Sequence, residues 1–373
     1  MHKRSIFIAA TGQNVGKTTL CLGIIAGLQK RFSSIGFIKP VGQQHIRIEE
    51  GLNVDKDVVL FKKHFNLAAD WSDMSPVIIP SGFTRDYIDG KISGSTMLDT
   101  IETSFLKIAS QNQYTVVEGT GHVGVGSIID LNNAAVAAHL KTEVIIIASG
   151  GLGSAHDELA LNIGLCRQYG VKIRGVILNR VLEDKRQMLL DYFPTSLKKW
   201  GVPLIGAIPY SEFLSQPTIQ DFANLFKTQL LSGELHRFRH FQHSRLVADS
   251  VETYEGDMIP NELVITPASR EDIILANIEK HKKAASSGIL NYAGGMILTG
   301  HRQPTQNIID KLRQLDLPML YVNLCSFETM KKIASFTSKI RTEDELKVEH
   351  AISLVEENID FDMLTNGHAL CCM

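Results

Sequence analysis

The chain has 373 residues, 44% of them apolar and 21% charged, with a formal charge of -2 at neutral pH. That is the composition expected of a soluble globular protein of two or three domains, and its balance of charge gives no electrostatic reason to expect nucleic acid or an anionic membrane as partner. No apolar stretch reaches the roughly 18 residues that a bilayer-spanning helix needs, and Cys21, Cys166, Cys325, Cys371 and Cys372 show neither metal-ligand spacing nor an even count.

Met1–Ser5 runs straight into the first apolar segment, which leaves no room for a leader and makes the cytoplasm the expected compartment. Ser5–Ala9 reads as a strand and Thr19–Gln29 as a helix. Between them stands Ala10-Thr11-Gly12-Gln13-Asn14-Val15-Gly16-Lys17-Thr18-Thr19. A Gly-Lys-Thr string between a strand and a helix is the context of a phosphate-binding loop. Gly16 lets backbone N–H groups close around a phosphate, Lys17 supplies a cation for the β and γ phosphates, and the Thr18 hydroxyl is a Mg²⁺ ligand. The strict pattern has Gly where Thr11 stands, so the loop is a variant. Residues 12–19 are the candidate nucleotide-binding set.

Ile35–Lys39 is the next strand, and Lys39-Pro40-Val41 lies at its carboxyl end, where open α/β sheets bind ligands. Lys39 is therefore a second candidate cation. Asp55 and Asp57 follow at the start of a helical pattern and are rival candidate acids. Thr115–Glu118 is a buried strand closed by an acid, which makes Glu118 a candidate Mg²⁺ ligand. Strand patterns at Glu143–Ser149, Gly175–Asn179 and Pro203–Ile208 alternate with helical ones at Asn133–Leu140, His156–Tyr169 and Gln187–Trp200. Apolar strands joined by helices predict a doubly wound, mostly parallel α/β sheet.

From Ser232 the character changes. Residues 233–262 read as a polar linker whose His236, His240 and His243 share one face of a solvated helix. A second, smaller α/β pattern follows over 263–359, with Ser269 and Asp272 as a capping pair and a helix over Thr342–Asn358. Residues 360–373 read as a tail with free thiols.

The motifs Val15-Gly16-Lys17-Thr18, Lys39-Pro40-Val41, Val117-Glu118-Gly119-Thr120-Gly121 and Leu178-Asn179-Arg180 resemble those of dethiobiotin synthetase-like ATPases. The resemblance covers residues 3–228. It implies ATP as cofactor with Mg²⁺ held by Thr18, Asp57 and Glu118, catalytic roles for Lys17 and Lys39, and Asn179 at the adenine. Gly126–Ala134 and Gly150–Leu159 look more like the N-terminal region of long phosphotransacetylases, in which a DRTGG domain follows. Residues 260–358 resemble that domain, and no counterpart of the transferase domain follows within these 373 residues. The resemblance implies ATP-dependent phosphoryl transfer to a small polar, anionic, carboxylate-like substrate, with Gln43, Gln44, His122, Ser127, Asp130 and Asn133 near the acceptor. The alternative is a nucleotide-sensing regulator without catalysis of its own. Homodimers are common in such families.

Overall fold

The computed structural model describes residues 4–48, 51–286 and 294–366. The chain forms two compact units, one made of residues 1–211 with 340–373, the other of residues 212–339.

The first unit opens with β1 (Arg4–Ala10), the loop, α1 (Lys17–Gln29) and β2 (Ile35–Ile38). Then follow α2 (Lys56–His64), α3 (Gly94–Gln111), β3 (Tyr114–Glu118), α4 (Asn133–His139), β4 (Glu143–Ser149), α5 (Gly153–Gln168), β5 (Ile173–Val181), α6 (Glu183–Leu197) and β6 (Leu204–Pro209). The six strands pair in the order β6-β5-β4-β1-β3-β2, and every pair is parallel. Their apolar runs are buried because helices cover both faces, as the continuous Val/Ile pattern required. The loop after β1 thus stands at the carboxyl edge, flanked by the ends of β3 and β4.

The second unit contains α7 (Ile219–Phe226), β7 (Leu230–Ser232), β8 (His243–Leu246), α8 (Val251–Gly256), β9 (Glu262–Pro267), α9 (Glu271–Ser286), β10 (Gly295–Thr299), α10 (Gln306–Gln314), β11 (Met319–Val322) and α11 (Ser326–Ala334). Its sheet runs β7-β11-β10-β9-β8, parallel except where β7 meets β11. One face is packed by Ile273, Ile274, Ile308 and Leu312, the other by Ile219, Phe222 and Phe241.

One expectation gives way here. The histidine-bearing part of residues 233–262 forms no single solvated helix, and the α-helix within that range is α8. His236 ends a 3-10 turn, His240 bridges to Thr218, and His243 begins β8. β8 supplies an edge strand beside β9, so the polar segment is structural. Asp272 pairs with Arg270 at 2.9 Å and has that cation as its partner in addition to any capping role.

The chain then returns to the first unit as α12 (Glu345–Glu356) and α13 (Phe361–Asn366). The expected domain ending at 359 therefore differs from the compact unit, which ends at Lys339. The expected tail from 360 begins instead with a helix that buries Phe361 and Leu364. Cys371 and Cys372 lie outside the described residues, whereas Cys21 and Cys166 are buried and Cys325 is exposed. The reason for the return lies in α1. Leu20, Cys21, Leu22, Ile24, Ile25 and Leu28 are all fully buried, so that helix is apolar around its whole circumference and needs cover on every side. A Cβ on Gly23 would lie 2.3 Å from Val355 Cβ, and one on Gly27 would lie 2.2 Å from Phe361 Cζ. Lys30 and Glu356 close the seam at 2.7 Å. Gly23→Leu should consequently cost about 1–3 kcal/mol or more through overpacking. Urea unfolding measures this, and a wild-type midpoint would contradict the seam. Among the described residues no helix is long and apolar enough to cross a membrane.

Candidate functional site

The loop is held in shape by residues far away in sequence. Asn14 and Gly16 have φ of 56° and 95°, the left-handed region that suits Gly and Asn. Gly16 precedes α1, leaving the first N–H groups of that helix facing the loop. Asn179, at the end of β5, is buried, and its Nδ2 donates to Val15 O at 2.7 Å. A Cβ on Gly16 would sit 2.2 Å from that same nitrogen. Asn179 thus braces the loop with the amide that the family resemblance assigned to adenine.

Three acids gather around one amine. Lys39 Nζ is 3.3 Å from Asp55 and 3.5 Å from Glu118, and it also bonds Asp57. Burial alone would lower the Lys39 pKa, but the carboxylates of Asp57, Glu118 and Asp55 outweigh it and hold the ammonium well above its ordinary range. Burial pushes Glu118 up to about 7 against the pull of Lys39, and it pushes Asp55 up as well. Asp55 also caps α2 by accepting from Asp57 N. That cap accounts for one of the two rival acids structurally and leaves Asp57 the more exposed of the pair.

Thr18 Oγ1 lies 3.3 Å from Glu118 Oε1, and the other oxygen of that buried carboxylate has no hydrogen-bond partner among the described residues. An orphaned acid oxygen beside a hydroxyl fits a Mg²⁺ ion. Mg²⁺ takes one or two carboxylates and fills its octahedron with phosphate oxygens and waters. No group of three His, Cys, Asp or Glu among the described residues forms a metal cage, which that coordination habit does not require.

Lys17 Nζ donates to Gly121 O at 2.6 Å and reaches Gly12 O at 3.5 Å. Burial lowers its pKa, with Glu118 acting in the opposite sense. The Gly119–Val123 segment that receives it is pinned by Asn133, which accepts from Thr120 N and donates to Thr120 O and His122 O. Asn133 is therefore a loop brace. Three others expected near an acceptor are also engaged. Tyr87 OH donates to Asp130 at 2.8 Å, Ser127 Oγ to Gly124 O, and His122 Nδ1 accepts from Gly124 N. Beside them lies a recess in which Gln43 and Thr120 face Val41, Ile79, Val125 and Leu131, more apolar than a wholly polar substrate needs. Both residues were expected at the site, but their bracing role escaped sequence reasoning because Asn133 and Asn179 act on segments 11 to 164 positions away.

A parallel sheet with this loop at its carboxyl edge, a Lys and a Thr at the helix start and an acid ending the neighbouring strand defines a P-loop nucleotide-binding domain. Sequence comparison agrees. An AAA domain family matches residues 4–218, and a DRTGG domain family matches residues 221–336. The chain belongs to the first of these families, whose phosphate loop is of the dethiobiotin synthetase-like type, and carries a DRTGG domain after it.

The phosphate acetyltransferase of Nitratidesulfovibrio vulgaris is 24% identical over 365 residues, covering 95% of this chain and 50% of its own length. The chain spans about half the length of the phosphate acetyltransferases it matches. The ATP-dependent dethiobiotin synthetase BioD of Nitrosopumilus maritimus is 24% identical over 221 residues, which is 58% of this chain and 93% of that protein. Among solved structures, the MinD cell division protein of Aquifex aeolicus matches 56% of this chain and 83% of its own at 16% identity, with a TM-score of 0.35.

Proposed function

We infer that the first unit binds ATP with Mg²⁺, in the cytoplasm, and transfers the γ-phosphoryl group to an oxygen of a small carboxylate-like acceptor. The observation that carries this reading is Lys39, a buried cation held by Asp55, Asp57 and Glu118 beside the phosphate loop. Burying four charges carries a large desolvation cost, and a loop that only gripped phosphate would have no use for it. Phosphoryl transfer does use it, because the reaction is governed by cations pre-positioned where charge develops on the transferring group.

On this reading Lys17 exchanges the Gly121 carbonyl for the β and γ phosphates, and the N–H groups at the start of α1 face the same oxygens. Thr18, Glu118 and Asp57 would hold Mg²⁺, which when bound neutralises phosphate charge. Lys39 aligns the acceptor oxygen against the γ-phosphate from its place at the end of β2. The recess beside Thr120 takes the rest of the acceptor, which carries an apolar portion as well as its anionic end.

The test is trapping. The full chain is incubated with MgATP, hydroxylamine and a panel of carboxylic acids, and hydroxamate is measured against ADP. The reading expects hydroxamate to appear with one class of acid, in step with ADP. ADP release that no acid stimulates, without hydroxamate, would overturn it.

A second reading, a nucleotide sensor with little turnover, is favoured by one observation. Asn133, Asp130, Ser127 and His122 are all engaged by internal hydrogen bonds. Tight nucleotide binding with negligible hydrolysis would select it.

A further inference from the structure

Thr11, which replaces the first Gly of the strict loop pattern, is tied to a helix 147 positions on. Its hydroxyl donates to Glu158 Oε2 at 2.6 Å, while its amide bonds Ile147 O at 2.8 Å. Glu158 is exposed on α5, and no ion pair compensates its charge among the described residues. The same helix reaches the opposite wall of the site. Asn162, one turn further, donates to Glu158 O at 2.8 Å and accepts from Val123 N at 3.1 Å.

These contacts define which end of the nucleotide the carboxylate meets. The Lys17 amine serves the β and γ phosphates. It lies against Gly12 O, next to Thr11, and against Gly121 O, two residues before Val123. α5 thus contacts both segments that flank the Lys17 amine, and on the Thr11 side it does so with a negative charge. A carboxylate there opposes a γ-phosphate by Coulomb repulsion and opposes a β-phosphate less, because the interaction falls with distance. A divalent cation on the phosphates offsets that repulsion.

We propose that Glu158 is a positioning residue that makes triphosphate binding conditional on a divalent cation and sets the discrimination between ATP and ADP. The proposal rests on the nucleotide-binding reading above. Its device is the Thr11–Glu158 hydrogen bond, which holds an uncompensated carboxylate at the γ-phosphate end.

The experiment is calorimetric titration of the full chain with ATP and with ADP, in Mg²⁺ and in excess chelator, for the wild type, Glu158→Gln and Thr11→Val. Glutamine keeps an acceptor for Thr11 but removes the charge, so Glu158→Gln should tighten ATP about tenfold in chelator, and ADP by about twofold or less. The gap between Mg²⁺ and chelator should shrink accordingly. Thr11→Val keeps the charge but frees it from the loop, so it should tighten ATP in chelator by less than Glu158→Gln does. A Glu158→Gln variant whose ATP and ADP affinities are unchanged, or move by the same factor, overturns the role of Glu158 alone. A wild type that binds neither nucleotide overturns the functional reading and this proposal with it. Thermal melts show whether both variants fold, since a purely structural Glu158 would shift the melting point without altering the ATP to ADP ratio.

Discussion

Lys17→Ala is expected to lower ATP turnover at least about 100-fold, the scale of losing one pre-positioned electrostatic group from a transition state. Lys17 stands at the first turn of α1, and its amine already hangs across the phosphate site between Gly12 O and Gly121 O. Alanine suits the start of a helix, so the fold should survive. The loss should appear in kcat more than in nucleotide affinity, because the oxygen bridging the β and γ phosphates gains charge only as its bond to the γ-phosphorus breaks. Turnover measured beside a melting curve tests this, and normal turnover in a folded variant would remove Lys17 from the site.

Lys39→Met should act on stability first. The amine is almost fully enclosed, with a side chain 8% exposed, and the facing Asp55 and Glu118 side chains are 2% and 1% exposed. Methionine matches its length and removes the only cation among the described residues in contact with both acids, leaving buried carboxylates without a counter-charge. Removing one partner of such a cluster costs about 3–5 kcal/mol. The cost should grow with pH. Without Lys39 the buried carboxyls have folded pKa values above their unfolded ones, so the unfolded chain holds fewer protons between the two values and stability falls as pH rises through them. Glu118 sits at about 7 even with Lys39 present, so the variant should lose more at pH 8 than at pH 5. Denaturant unfolding in chelator at both pH values measures this, and equal stability of variant and wild type would mean that Lys39 does not hold the acids together.

Much of the site could be read along the chain because its chemistry is local. Gly16, Lys17 and Thr18 are adjacent, Lys39 and Glu118 each sit where an apolar strand runs out, and strand ends at one edge of a parallel sheet must converge. The expected Lys39, Asp57, Glu118 and Thr18 do meet within hydrogen-bonding reach. Asn179 and Asn133 could be located in this way, but not what their amides hold. An amide side chain carries no directional signal in a sequence, and its partners here are backbone groups of distant loops.

The polar run 233–262 misled for a related reason. An edge strand such as His243–Leu246 buries little of itself, with burial only partial even at Arg245. It therefore lacks the alternation that marks a half-buried strand.

By itself, then, the sequence determined the class of fold, the phosphate loop and the charged groups at its rim, since these follow from hydrophobic period and from residues next to one another. Only the tertiary structure decided that residues 340–366 go back to cover α1, that three acids share one lysine, and that Glu158 reaches Thr11. Each of those depends on a helix or strand end finding a partner about 20 to more than 300 positions away, and that choice is made by the packing of whole surfaces and the pairing of buried charge.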